Sequence, residues 1–222
     1  MDRDDPAYAG QRDYGRLLLA LYDPVVVGPV ARFVWRSPSS ALLERFRAHI
    51  RPNHLDVGPG TGYFLDRSGL PDRSPITILD PNTNVLKHVS RRLGRYDVTA
   101  VEADVLKPLP VGGPFASAAL HLVIHCLPGP MERKRLAVAN VASVLAPDGV
   151  LFGASVLGIP GPHTGLARQV LKVFNKQGGF DNLADTEESL RSMLGSVFEH
   201  VELETLGSIA VFSASGRRVA SA

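Results

Sequence analysis

The run Gly58-Pro59-Gly60-Thr61-Gly62 follows a short apolar stretch, His54-Leu55-Asp56-Val57, and precedes a helical period. Glycines at such a junction let the main chain turn sharply. They also let a ligand approach the unpaired N–H groups of a helix start, where the peptide dipoles favour negative charge. The spacing is G-x-G-x-G, because Tyr63 fills the sixth position of the dinucleotide pattern G-x-G-x-x-G. Asp56 stands two residues before the first glycine, where its charge repels a pyrophosphate but accepts hydrogen bonds from an ammonium group. An acid beside a helix start suits a zwitterion. Asp80 closes the next apolar run, Ile76-Thr77-Ile78-Leu79, about 20 residues on, where an acid grips a pair of ribose hydroxyls. Asp104 closes a third run, Val101-Glu102-Ala103. For each acid taken singly, the alternative is a helix N-cap or a strand-end surface carboxylate.

A second group of candidates is His121-Leu122-Val123-Ile124-His125-Cys126-Leu127-Pro128. In a strand, residues 121, 123 and 125 share one face. His125, near the carboxyl end, can then take a proton from a bound molecule or orient it; the alternative is a hydrogen-bonded structural histidine. His121 reads as a wall or core residue, His163 as a surface residue, and Cys126 as a small core hydrophobe.

These residues must be positioned by alternating elements. Strand-length runs are His54–Val57, Pro75–Leu79, Val98–Glu102, Phe115–Ile124, Gly149–Val156, Val201–Leu206 and Ser208–Ser213. Helical periods occupy Thr61–Leu70, Pro81–Leu93, Pro130–Leu145, Gly165–Lys176 and Thr186–Phe198. Such alternation predicts βαβ units and a mostly parallel sheet, and the last two strands have room only for a hairpin. Before them, Tyr14, Leu17, Leu18 and Leu21 share one helical face. Asp23-Pro24 and Ser37-Pro38 each read as an N-cap followed by proline at the first helical position, opening helices Pro24–Trp35 and Pro38–Ile50. Residues 1–52 therefore read as a helical cap on an α/β domain of residues 53–222.

The segments HLDVGPGTGYFLDR, ITILDPN, VEADVLKPLP and VLAPDGVLFGASVL, in that order, resemble the motif series of class I S-adenosylmethionine-dependent methyltransferases. The resemblance implies a doubly wound, seven-stranded, mostly parallel Rossmann-like sheet with its last strand antiparallel. It implies S-adenosylmethionine as cofactor and S-adenosylhomocysteine as product. Asp56 with Gly58, Gly60 and Gly62 would hold the methionine part, Asp80 the ribose, and Asp104 with the Val105 backbone the adenine, with His121 on the cofactor wall. Tyr22-Asp23 is similar to a Tyr-Asp element whose tyrosine closes over the cofactor, and His125 to a histidine that follows the fourth strand. Trp35 and Tyr22 are candidates for pocket contact, whereas Phe33 and Phe64 read as core. The chain has neither the Asn/Asp-Pro-Pro-Tyr motif of amide and adenine nitrogen methylation nor a Pro-Cys nucleophile. Asp181-Asn182 is similar to a metal-ligand pair, but His125 stands where a carboxylate would be wanted, so no metal is expected.

The 222 residues, 45% hydrophobic with a net charge of +2 and one cysteine, suit one cytoplasmic globular domain without disulfides. Neither nucleic acid nor membrane is an expected partner. The charge is too small, and the apolar stretch Leu17–Trp35 is broken by Asp23-Pro24, Gly28-Pro29 and Arg32. The basic clusters Arg91-Arg92-Arg95 and Arg133-Lys134-Arg135 read as solvated helix faces. The acceptor expected is a small, largely apolar molecule, aromatic or heterocyclic. The alternatives are a macromolecule presented by a partner, a relative that binds the cofactor without transferring methyl, and a nicotinamide dehydrogenase. Acceptor atom and oligomeric state, monomer or homodimer, stay open.

Overall fold

The computed structural model describes residues 30–218. Tyr14, Tyr22 and the start of the helix expected from Pro24 lie outside them. The described chain runs α1 (Ser39–His49), β1 (His54–Val57), α2 (Tyr63–Asp66), β2 (Pro75–Asp80), α3 (Thr83–Arg92), β3 (Asp97–Glu102) and β4 (Phe115–His121). A 3-10 turn (Ile124–Cys126) precedes α4 (Met131–Ser143), β5 (Leu145–Val156), α5 (Gly165–Lys176), α6 (Glu187–Gly195), β6 (Phe198–Leu206) and β7 (Ile209–Arg217).

The strands form one seven-stranded sheet in the order β3-β2-β1-β4-β5-β7-β6. The first five are mutually parallel and β7 is antiparallel to both its neighbours. All four residues of β1 are buried, as are six of the seven in β4, the continuous burial of parallel strands covered on both faces. Alternation splits their side chains. Leu55, Val57, Leu79, Ala118 and Leu120 meet Val138 and Val141 of α4 and Leu190 and Leu194 of α6. Ile76, Ile78, Ala119 and Phe152 meet Phe46 of α1 and Val85, Leu86 and Val89 of α3. Chain order reverses between β1 and β4, so their carboxyl ends diverge and leave the crevice in which open α/β sheets bind ligands.

Four local expectations are corrected. The helix expected over Thr61–Leu70 is only Tyr63–Asp66: Gly60 and Gly62 have φ of 58° and 77°, Gly69 has 83°, and helical backbone cannot pass through left-handed residues. Strand β4 stops at His121, because Leu122 takes φ 63° and donates its N–H to Ala154 O at 2.7 Å. The shared face expected for 121, 123 and 125 is therefore lost. Pro38, not Ser37, is the N-cap of α1; the Ser37 hydroxyl donates instead to Trp35 O and Leu206 O, tying the chain to the β6–β7 hairpin. Phe33, expected in the core, is 69% exposed. Among the described residues no helix is long and apolar enough to cross a membrane.

Candidate active site

The carboxyl ends of β1, β2 and β4, with the loops after β1 and β3 and the turn after β4, open into one cavity of about 260 Å³. Gly58, Gly60, Asp80, Asp104, Val105 and His121 line it, as do Trp35 and His125. Asp56 and Gly62 do not. The Asp56 carboxylate is buried beneath the loop, 3.6 Å from His54 Nε2, and His54 Nδ1 pairs with Ser117 Oγ at 2.8 Å. Burial raises the Asp56 pKa against the opposing pull of His54. Gly62 faces α3, where a Cβ would stand 3.1 Å from Val89 Cγ1.

The glycines on the cavity differ in what they allow. A Cβ on Gly58 would lie 2.8 Å from Val123 Cγ2, whereas one on Gly60 would meet nothing within 4 Å. Gly58 admits the turn after β4; Gly60 leaves bare main chain open to a ligand. Asp80 Oδ1 accepts the Asn82 N–H at 2.7 Å and Asp104 Oδ1 the Leu106 N–H at 2.9 Å, so each acid is held by the loop after its strand. Burial, with the Asp56 charge nearby and against the Asn82 bond, pushes the Asp80 pKa up to about 7. The loop after Asp104 is pinned by Asn140 Nδ2, which donates to Val105 O at 2.9 Å and Lys107 O at 2.8 Å.

The same cavity has an aromatic wall. His125 Nδ1 accepts the N–H of Val156 at 3.2 Å, so a neutral ring carries its proton on Nε2. Burial, helped by Lys134 and His121, lowers its pKa to about 3. In that state the ring offers a bound molecule a donor, not a lone pair. Phe180 packs edge-on to His125 with ring centres 4.4 Å apart, is 6.3 Å from Trp35 and stacks on Phe174. His121 lies between Phe46 and Phe64, centres at 5.3 and 4.3 Å. Both its ring nitrogens lack a hydrogen-bond partner, and burial lowers its pKa to about 3. Phe64, expected in the core, packs against it and also lines the cavity. The Cys126 thiol is pushed up to about 12 by burial, which keeps it protonated and a poor nucleophile.

Four further residues line the cavity: Phe180, Asn82, Thr61 and Arg133. Thr61 and Asn82 stand inside the glycine run and the ITILDPN segment, Phe180 follows the glycine-rich Gly178-Gly179 turn, and Arg133, expected on a solvated helix face, reaches the cavity from the start of α4. Lys134 was read as part of a solvated face and is 0% exposed. The signal was present: residues 134, 137, 138 and 141 follow the i, i+3, i+4, i+7 spacing of one buried stripe. Asp181 and Asn182 are engaged in hydrogen bonds to Gly129, Val156 and Asn175.

Residues 55–153 match the family described as "Methyltransferase domain". Demethylluteothin O-methyltransferase of Streptomyces thioluteus is 35% identical over 213 residues, covering 95% of this chain and 93% of that protein. The physcion biosynthesis cluster O-methyltransferase of Aspergillus chevalieri is 36% identical over 217 residues, 96% and 98% of the two chains. Among solved structures, the N-methyltransferase NodS of Bradyrhizobium japonicum WM9 in complex with S-adenosyl-l-homocysteine superposes with a TM-score of 0.56 at 16% identity, over 78% of this chain and 82% of that one. The seven-stranded α/β sheet with this site at its strand ends is that of a Rossmann-like methyltransferase. The chain belongs to the class I S-adenosylmethionine-dependent methyltransferases.

Proposed function

We propose that this enzyme moves a methyl group from S-adenosylmethionine to a small, flat, largely apolar acceptor, an aromatic or heterocyclic metabolite. One observation carries the reading. A single cavity joins the strand-end acids Asp80 and Asp104 to a wall made of Trp35, Phe64, His125 and Phe180. The names of the relatives support it: besides the two O-methyltransferases above, the N-methyltransferase vrtF of Penicillium aethiopicum is 38% identical over 180 residues.

The residues fit the cofactor. Gly60 presents open main chain, Asp80 can accept from the ribose hydroxyls, Asp104 and Val105 flank the adenine position, and His121 closes the wall beside them. Asp56 takes no contact in this reading; buried behind the loop, it contributes negative potential beneath the expected ammonium group. The sulfonium cofactor, when bound, supplies an electrophilic methyl group.

What this chain does is position and exclude water. In-line displacement needs the acceptor atom about 3–3.5 Å from the methyl in a near-attack arrangement. Trp35, Phe64 and Phe180 offer apolar ring surface to a flat acceptor and keep the site dry, and aromatic faces favour a cationic centre. His125 donates its Nε2–H to the acceptor and orients it; of the two roles open from the sequence, orientation fits the bond at Nδ1. Of the expected cap, residues 1–52, the described part contributes Ala31, Trp35, Ser39 and Leu42 to the cavity wall beside the unit formed by 53–222. The test is incubation of the purified protein with S-adenosylmethionine and a metabolite extract of its source. The expected result is S-adenosylhomocysteine formed in step with a product one methylene heavier than a metabolite consumed. Cofactor that stays intact with every fraction overturns the proposal.

A further inference from the structure

The segment that carries Phe180 is fastened by a charged group where an apolar one would be expected. Lys134 is on the buried stripe of α4 and fully inaccessible. Its Nζ donates to Asp185 Oδ2 at 2.6 Å and to Asp181 O at 2.6 Å. Asp181 makes further bonds in the same place: its N–H donates to His125 O at 2.9 Å, and its Oδ2 accepts the Gly129 N–H at 2.7 Å. The neighbouring Asn182 donates to Val156 O at 2.8 Å, and Val156 is the residue whose N–H fixes His125 Nδ1. Residues 181 and 182 thus hold His125 from two sides, at its own carbonyl and, through Val156, at its ring. Phe180, one residue earlier, is set against that ring.

A buried ion pair often stabilises a fold less than apolar residues of the same volume, and in some folds its role is instead to fix one arrangement of the groups around it. An apolar side chain at 134 would fill the space without specifying where Asp181 and Asp185 stand. We propose that Lys134, paired with Asp185 and bonded to Asp181, is a positioning residue that sets His125 and Phe180 on the acceptor side of the cavity. The proposal rests on reading that wall as acceptor-facing. Lys134 touches neither cofactor nor acceptor, and acts through the 180–185 segment. The same ammonium also helps to keep the His125 ring neutral.

The test uses the whole protein and needs no acceptor. The double variant Lys134→Met/Asp185→Leu removes both charges and so leaves neither one buried alone. The His125 ring is followed by ¹⁵N NMR over a pH titration. The wall is followed by the fluorescence of Trp35, the one tryptophan in the chain. S-Adenosylhomocysteine binding is measured by calorimetry. The expected result is a folded variant whose His125 protonates about one pH unit or more above the wild type, whose Trp35 emission moves, and whose affinity for S-adenosylhomocysteine stays within about twofold. A folded variant with His125 and Trp35 signals like those of the wild type overturns the proposal. Asp185→Asn keeps the side-chain volume and serves should the double variant not fold: Lys134 keeps its charge but loses its counter-charge, so His125 must not protonate above the wild type while the Trp35 emission moves, and an unmoved Trp35 emission overturns the proposal. Failure of the wild type to bind S-adenosylhomocysteine would sink the methyltransfer reading but leave the NMR and fluorescence comparison intact, so the two claims fail separately.

Discussion

The N–H of Val156 points at Nδ1 of His125, 3.2 Å away, and this bond settles which nitrogen of the ring carries hydrogen. A base needs a free lone pair, and here the Nδ1 lone pair is occupied by a backbone amide. With its pKa lowered to about 3 by burial, the ring is neutral throughout the working range.

From this, His125→Ala should lower kcat/KM about tenfold, the worth of one hydrogen bond in a dry site. Loss of a general base would cost about a hundredfold or more. With S-adenosylmethionine saturating at every pH, so that the titration of Asp80 does not enter, and with an acceptor that does not itself titrate, the wild-type kcat/KM for the acceptor should show no inflection near the ordinary histidine pKa, about 6.5. Steady-state kinetics across neutral pH check both. A hundredfold loss with disappearance of such an inflection would restore His125 as the base.

Asp80 gives the opposite kind of pH dependence. Burial holds its pKa up at about 7 in the ligand-free protein, so below that pH the carboxyl is protonated. Accepting two ribose hydroxyls calls for the carboxylate, and binding at low pH must then release a proton. S-Adenosylhomocysteine should therefore bind more weakly as pH falls through 7, approaching about tenfold per unit. Asp80→Asn should abolish that slope and weaken binding at pH 8 by about 1.5–3 kcal/mol, the range for a hydrogen bond to a charged group. Calorimetry at several pH values measures it, and an affinity indifferent to pH would refute the assignment.

The two cavity glycines should separate stability from binding. Gly60→Ala meets no atom within 4 Å and carries only the strain of its φ of 58°, about 1 kcal/mol, yet puts a methyl where the ligand must approach. Gly58→Ala carries similar strain and also drives its Cβ to 2.8 Å from Val123 Cγ2. Gly60→Ala should lose ligand affinity while staying folded; Gly58→Ala should lose both. Thermal melts beside ligand titrations decide, and equal melting losses in the two would contradict the geometry.

Repetition made the sheet readable. Short apolar runs such as His54–Val57 and Pro75–Leu79 are bounded by glycine, proline and acids, and helices of ordinary period lie between them, so strand order follows from topology rules. Strand-end acids were readable for the same reason: Asp80 and Asp104 close their runs. Whether such an acid reaches the cavity was not. Asp56 shares a face of its strand with His54, whose ring is held between Phe46 and Phe152, and the Asp56 carboxylate is buried 3.6 Å from that ring instead of lining the cavity. The route of the chain after His121 was hidden as well, because Leu122 carries a left-handed φ that nothing in a leucine announces. The bracket of Lys134, Asp181 and Asp185 joins residues about 50 apart in sequence, as long-range contacts must, and a single chain offers no local sign of such a pairing.

His121 supplies the last prediction. Its two ring nitrogens are buried without partners between Phe46 and Phe64, and its pKa is lowered to about 3. The unfolded chain therefore binds a proton there below about 6.5 that the folded chain refuses. A histidine with a depressed folded pKa contributes its full share above the unfolded value and costs stability as pH falls from about 6.5 towards 3, by about 1.4 kcal/mol per unit. Acids with raised pKa, Asp56, Asp80 and Asp185, act in the opposite sense, so the stability profile of the wild type alone would not isolate the ring. His121→Phe does, since those acids are common to both proteins and cancel in the difference. At neutral pH the variant should be the more stable, having no unpaired buried nitrogen, and its advantage should widen by about 1.4 kcal/mol for each unit below pH 6.5. Urea unfolding at pH 7.5, 6.5 and 5.5 measures the gap; one that stays constant across the three would mean that the His121 ring takes up its proton inside the folded protein, beside a hydrogen-bond acceptor.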